Sequence, residues 1–144
     1  MSDTSNSADR TPAVQHLNPD GMPQNPAYSQ AVVVSGPAKT IYIGGQNAVD
    51  ASGAIVGKGD IGAQTEQILQ NIQILLSAAG ATLDQLIKWN IYLVQGQPIQ
   101  PGFEAFQRMW GQRPNPPVIS VVFVAGLGRP DFLVEIEAVA VVPQ

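Results

Sequence analysis

The sequence predicts an α+β domain of two layers, with elements in the order ββαβαββ. Three observations predict it. Two segments of helical spacing, each with a single apolar stripe, alternate with short runs rich in Val, Ile and aromatic residues. The run Phe132–Val142 (FLVEIEAVAVV) alternates as a strand. It puts Phe132, Val134, Ile136, Ala138, Ala140 and Val142 on one apolar face. Its other face carries Leu133, Glu135, Glu137, Val139 and Val141, too apolar for open solvent and too charged for a dry interior. Finally, only 12 % of the 144 residues are charged against 44 % apolar. That is about half the usual charge content, so copies of the chain are expected to cover part of the surface.

Residues 1–14 read as a flexible N-terminal tail and 15–144 as one domain. The segment 1–26 is dominated by Ser, Asp, Asn and Pro and has no period. Gln30–Ser35 and Lys39–Gly44 read as strands joined by Gly36-Pro37-Ala38. Gly44 and Gly45 allow close approach of a backbone or a ligand. Asp50-Ala51-Ser52-Gly53 is turn chemistry.

Ala63–Ala79 is the strongest helix. Ile68, Leu69, Ile72, Leu75, Leu76 and Ala79 form its stripe, and Gly80 stops it. Thr82 with Gln85 has capping-box spacing. Lys88–Val94 is a strand. Pro98–Trp110 is a second helix with Pro101 in its first turn and Phe103, Phe106 and Trp110 along one side. Val118–Ala125 and Phe132–Val142 close the order. The helix face of the sheet is covered within the chain. The opposite face is not, and burial against a symmetric copy is expected.

Composition excludes several functions. The net charge is −4, the pI is about 4.6, and no run of Lys or Arg occurs. Phosphate backbones demand clustered cations, so no nucleic-acid partner is expected. Cysteine is absent and histidine occurs once, as His16. Thiolate chemistry and His/Cys zinc sites are therefore out, and no cofactor or metal is expected. No stretch reaches the ~20 apolar residues of a membrane span. No signal peptide is read at the N-terminus. A soluble cytoplasmic protein is the expectation. His16 lies in the N-terminal segment and reads as a surface residue packed where the arm joins the fold.

The stretches AYSQAV (27–32), IGGQ (43–46), GDIGAQTEQILQNIQILLSAAGATLDQLIKWNIYL (59–93) and VEIEAVAVV (134–142), in this order, resemble the Rid proteins. These are the YjgF, or reactive intermediate deaminase, family, also labelled endoribonuclease L-PSP. The resemblance covers roughly residues 15–144. It implies a chorismate-mutase-like fold and a homotrimer in which three sheets form a central barrel, with clefts between subunits. It implies hydrolysis of enamines and imines, such as 2-aminoacrylate, to 2-keto acids and ammonia. The family site uses a tyrosine, a strand-end glycine, the arginine of a P-x-R-S motif, a helix asparagine and the glutamate opening EIEA.

Carried onto this chain, the resemblance gives Tyr28 and Glu135 catalytic roles and makes Gly45 the strand-end glycine. The P-x-R-S motif reads Pro117-Val118-Ile119-Ser120, so Ile119 replaces the arginine. Phe103 falls at the asparagine. Ile119, Phe103, Gly45 and Ser120 thus become the substrate-binding set. Arginine holds a carboxylate with a two-pronged, charge-assisted fork, and isoleucine offers no donor. A 2-imino acid would bury its carboxylate unpaired, which weakens the 2-aminoacrylate reading. Arg129, Lys88 and Arg113 are candidate substitutes. What remains is a carboxylate, a phenol, backbone dipoles and an apolar wall. Such a site fits a neutral or aromatic imine, enamine or related unsaturated compound. The alternative is a non-catalytic, ligand-binding or regulatory homotrimer. A ribonuclease rests on the old label alone. Glu137 reads as structural, and Asp50, Asp60 and Asp84 as turn and cap residues.

Overall fold

The computed structural model of the protein describes residues 13–144. The expected tail therefore lies, up to residue 12, outside the described residues. The elements are β1 (Val14–Leu17), β2 (Ala31–Val34), β3 (Ala38–Gln46), α1 (Ile61–Ala78), a 3₁₀ turn (Leu83–Gln85), β4 (Leu86–Val94), α2 (Gln100–Trp110), β5 (Val118–Val124) and β6 (Val134–Pro143). Every element of the expected order is present, and β1 is an addition. Four residues (VQHL) are too few to show a period. β1 exists because it pairs antiparallel with β2, His16 opposite Val32.

The main sheet has the order β3-β6-β4-β5. β6 is central, antiparallel to both neighbours, and β5 runs parallel to β4 at the edge. Trp89, Leu93, Val134, Ile136, Ala138 and Ala140 face the helices from the two central strands, and Ile43 joins them from β3. Against them α1 sets Ile68, Leu69, Ile72 and Leu76, all 2 % exposed or less. Burying each such side chain stabilises the fold by about 1.5–3 kcal/mol. Leu75 departs from the expected stripe: it is 39 % exposed, and the buried Gln64 and Thr65 extend the stripe at its other end.

Local chemistry sets the helix ends. Asp60 caps α1, accepting from the Ala63 amide at 3.1 Å, which starts the helix two residues before the expected Ala63. Gly80 follows it at φ +78°, a conformation cheap only for glycine. Thr82 and Gln85 form the expected capping box. α2 begins at Gln100 with Pro101 in its first turn, and Trp89, Phe106 and Trp110 pack their rings edge-on or stacked, 4.8–6.5 Å apart.

The open face presents Tyr42 from β3, Glu135, Glu137 and Val139 from β6, Asn90 and Tyr92 from β4, and Ser120 and Val122 from β5. Tyr42 is 81 % and Val122 43 % exposed. The face that the alternation of β6 left unexplained is the one the helices do not cover.

Candidate active site

The alternation of β6 turns Glu135 onto the open face while its neighbours Val134 and Ile136 anchor the strand in the core. Gln64 of α1 fixes where β6 begins. Its buried amide donates to the Asp131 carbonyl at 2.9 Å and the Gly57 carbonyl at 3.2 Å, and its oxygen accepts from the Leu133 amide at 2.9 Å. Its place in the helical period does not single out this glutamine, although it lies in the quoted stretch that carries the family resemblance.

β3 meets β6 with a register shift between Ile43 and Gln46. This bulge brings Gly45 under the Glu135 carboxylate. A Cβ on Gly45 would stand 2.5 Å from Glu135 Oε2 and 2.7 Å from Cδ, closer than such atoms can approach. A side chain there would force the Glu135 carboxylate to move, so glycine is what lets the carboxylate keep this position. Gly45 and Glu135 thus form one unit.

Glu137 is the neighbouring carboxylate on the same face. Tyr92 donates its hydroxyl to Glu137 Oε1 at 2.6 Å, and Asn90 donates its amide at 2.9 Å. Those two bonds, the Tyr92 bond first, hold the Glu137 carboxyl below its ordinary value of 4.5. The same bond raises the Tyr92 phenol. A carboxyl depressed in the fold adds stability above its unfolded value and loses it as pH falls through its folded value. Tyr92→Phe removes the largest cause. It is expected to melt below the wild type at pH 7, and the gap is expected to narrow as pH falls below 4.5; melting curves from pH 7 to pH 3 check it.

Tyr28, Ile119 and Phe103 meet elsewhere. They line one cavity of about 220 Å³ between the β5 side of the sheet and α2, with Phe106, Val121 and Ile136. No charged side chain among the described residues lines it. Apart from Tyr28, its polar side chains are Asn25, Thr65 and Trp89, whose indole Nε1 is buried without a hydrogen-bond partner. The Asn25 oxygen accepts from the Ala27 amide at 2.8 Å, and the Thr65 hydroxyl donates to the Ile61 carbonyl at 2.8 Å. Ile119 pairs in register with Trp89, on the helix side of the sheet. Ser120 is turned away from the cavity, beside Asn90 on the open face, and is exposed.

The candidate residues therefore fall into two groups within one chain. Glu135 and Gly45 lie on the open face; Tyr28, Ile119 and Phe103 lie on the helix side. The sheet itself lies between them, so these groups do not meet within one chain. The three possible substitute cations are placed outside the cavity. Arg129 lies over the Phe132 ring at 5.1 Å and donates to the Gly53 carbonyl. Arg113 pairs with Asp84 at 3.2 Å and donates to the Met109 and Trp110 carbonyls at the end of α2. Lys88 borders a depression on the open face with Tyr42, Gly44 and Glu137. Asp50 accepts from Ser52 and Ala54 within its turn, as the turn reading expects.

The sequence profile described as Endoribonuclease L-PSP matches residues 22–142. A RutC family protein of Pyrococcus horikoshii is 35 % identical over 113 residues, 78 % of this chain and 85 % of that protein. The human 2-iminobutanoate/2-iminopropanoate deaminase is 32 % identical over 114 residues, 79 % of each chain. A solved structure of a Rid-family protein of unknown function from Yersinia pestis superposes with a TM-score of 0.80 at 33 % identity, covering 90 % of this chain and 99 % of that one. The α+β architecture described above is thus the chorismate-mutase-like fold these proteins share.

Proposed function

The chain belongs to the endoribonuclease L-PSP family, the Rid or YjgF proteins, and from that premise we propose that it is a deaminase hydrolysing an imine or enamine that carries no carboxylate beside the reacting carbon. The observation that carries this reading is the wall around Ile119: an apolar cavity without a charged side chain, where the family resemblance calls for an arginine. The deaminase named among its relatives supports the reaction class.

In the proposed assembly, a homotrimer, Glu135 and Gly45 of one copy face the Tyr28, Ile119 and Phe103 cavity of the next. Two separated half-sites on one chain support such a cleft. Glu135 takes a proton from water as the oxygen attacks the imine carbon. The C=N π pair moves to nitrogen, which is protonated, and a carbinolamine results. Glu135, which returned the first proton to that nitrogen, then moves the hydroxyl proton onto it as the C–N bond breaks, so that ammonia leaves and a carbonyl compound remains. Tyr28 donates a hydrogen bond to the oxygen as charge develops there. Gly45 leaves the Glu135 carboxylate uncovered by a side chain of its own.

A carboxylate-bearing substrate fits this cleft badly. Burying that charge unpaired costs about 3–5 kcal/mol, a factor of about a hundred or more in rate. Keto-acid release from freshly generated 2-aminoacrylate is therefore expected to be about a hundredfold slower than with a family member that has the arginine. Comparable rates would overturn the reading and point to a cation supplied by the neighbouring copy. A trimer that binds apolar imines without releasing ammonia would favour the binding-protein alternative.

A further inference from the structure

The β1–β2 ribbon is hydrogen-bonded as its own two-stranded sheet, separate from the main one. Its place on the body rests on a few bonds outside the strands. At one end the ribbon runs into β3, where the main sheet's own ladder is extended by the Gln144 amide donating to the Pro37 carbonyl at 3.0 Å. At the other end, groups from both sides of the ribbon converge on the proline loop before β5. The Ser29 hydroxyl donates to the Pro116 carbonyl at 2.5 Å, and the Ser29 amide donates to the Pro117 carbonyl at 3.1 Å. His16 Nδ1 lies 3.0 Å from Ser29 Oγ and 3.1 Å from the Pro116 oxygen.

Proton accounting assigns the histidine's part. The hydroxyl hydrogen of Ser29 is committed to Pro116, which leaves Ser29 Oγ and the Pro116 oxygen as acceptors. Nδ1 must then carry the hydrogen they share. Ser29 is 2 % exposed, while His16 and Pro116 are half-buried, so water has little access to the Ser29 end of the knot. Asn115, with φ +58°, turns the loop so that the Pro116 carbonyl meets the ribbon, in a conformation asparagine tolerates.

The segment between β1 and β2 is bonded to itself. Gln24 donates to the carbonyls of Asn18, Pro19 and Met22, the Gln30 amide to the Asn18 side chain, and the Gln30 side chain to the Pro23 carbonyl. It is one unit, and the knot at Ser29 attaches it to the body. Tyr28 is the residue before Ser29. Ile119 lies two residues beyond Pro117. Both line the apolar cavity.

We propose that His16 is a positioning residue: through Ser29 and the Pro116 carbonyl, it holds Tyr28 on the wall of the apolar cavity in register with Ile119. The inference rests on that cavity being the ligand-binding half of the cleft. His16 touches neither the cavity nor Glu135 and acts only through the knot.

The test compares the full-length wild type with His16→Ala and His16→Asn, the asparagine amide replacing the Nδ1 hydrogen. Two readouts are taken: amide exchange over residues 27–31, with α1 and β6 as internal references, and affinity for the neutral fluorophore N-phenyl-1-naphthylamine. His16→Ala is expected to speed exchange at 27–31 and weaken dye binding by about tenfold each, the scale of one lost hydrogen bond, with α1 and β6 unchanged. His16→Asn is expected to restore both. Unchanged exchange at 27–31 in His16→Ala would overturn the proposal, as would faster exchange throughout α1 and β6, or equal loss of dye affinity in both variants. If the wild type took up no dye, the cavity reading would fail, and the exchange arm would still decide whether His16 holds the segment around Tyr28.

Discussion

Glu135→Gln is expected to lower ammonia release by about a hundredfold or more while leaving fold and assembly intact. Loss of a general acid–base group has this scale. Glutamine keeps the size and hydrogen-bonding capacity of the side chain but removes the charge and the proton transfer. It also fits the position: the carboxylate already lies over Gly45, where a Cβ would come within 2.5 Å of Oε2, and glutamine fills the same space. Glu137→Gln is the control. Glu137 shares the face, yet Tyr92 and Asn90 already engage it, so its loss is expected to matter to stability more than to rate. The check is ammonia release at matched protein concentration, with sedimentation alongside. Full activity in Glu135→Gln would remove Glu135 from the chemistry.

Val139→Glu is expected to reduce the proposed trimer to monomers at micromolar concentration. Val139 lies on the open face between Tyr42 of β3 and Lys88 of β4. A glutamate there gains Lys88 as a cross-strand partner within its own chain, so the subunit itself tolerates the change. Placed in a closed interface between copies, the same charge is desolvated without a partner from the neighbour, among the most destabilising changes known. Sedimentation of wild type and variant reads the result. A wild type that sediments as a monomer, or a variant that sediments with three chains, would count against the assembly.

The particular residues show how much could be read from sequence. α1, β5 and β6 were legible because long apolar patterns at period 3.6 or 2 report which side meets the core. The strand pattern marked Glu135 and Glu137 alike as carboxylates in an apolar strand, and choosing Glu135 came from the family resemblance; paired glycines closing a strand marked the close approach at Gly45. β1 was not legible: its four residues are a strand only through pairing with residues 31–34. Leu75 was misplaced because at the edge of a helical stripe the period does not decide between core and solvent. The division of the candidate residues between two faces was equally hidden. The position of Tyr28 depends on side-chain bonds from Asn18, Gln24, Ser29 and His16, which fold an aperiodic segment back onto the proline loop. Such bonds leave no repeating mark, and neither does the buried Gln64 that positions the start of β6.

The proposed cleft hydrolyses imines and has no anchor for a carboxylate. It is tested most directly by following ammonia release from two freshly generated imines of equal size in the same solution. One carries a carboxylate on the imine carbon, and the other carries an uncharged alkyl or aryl group there. The uncharged imine is expected to be accelerated over spontaneous hydrolysis about a hundredfold more than its carboxylate partner, and Glu135→Gln is expected to abolish that acceleration. Preferential hydrolysis of the carboxylate-bearing imine would contradict it.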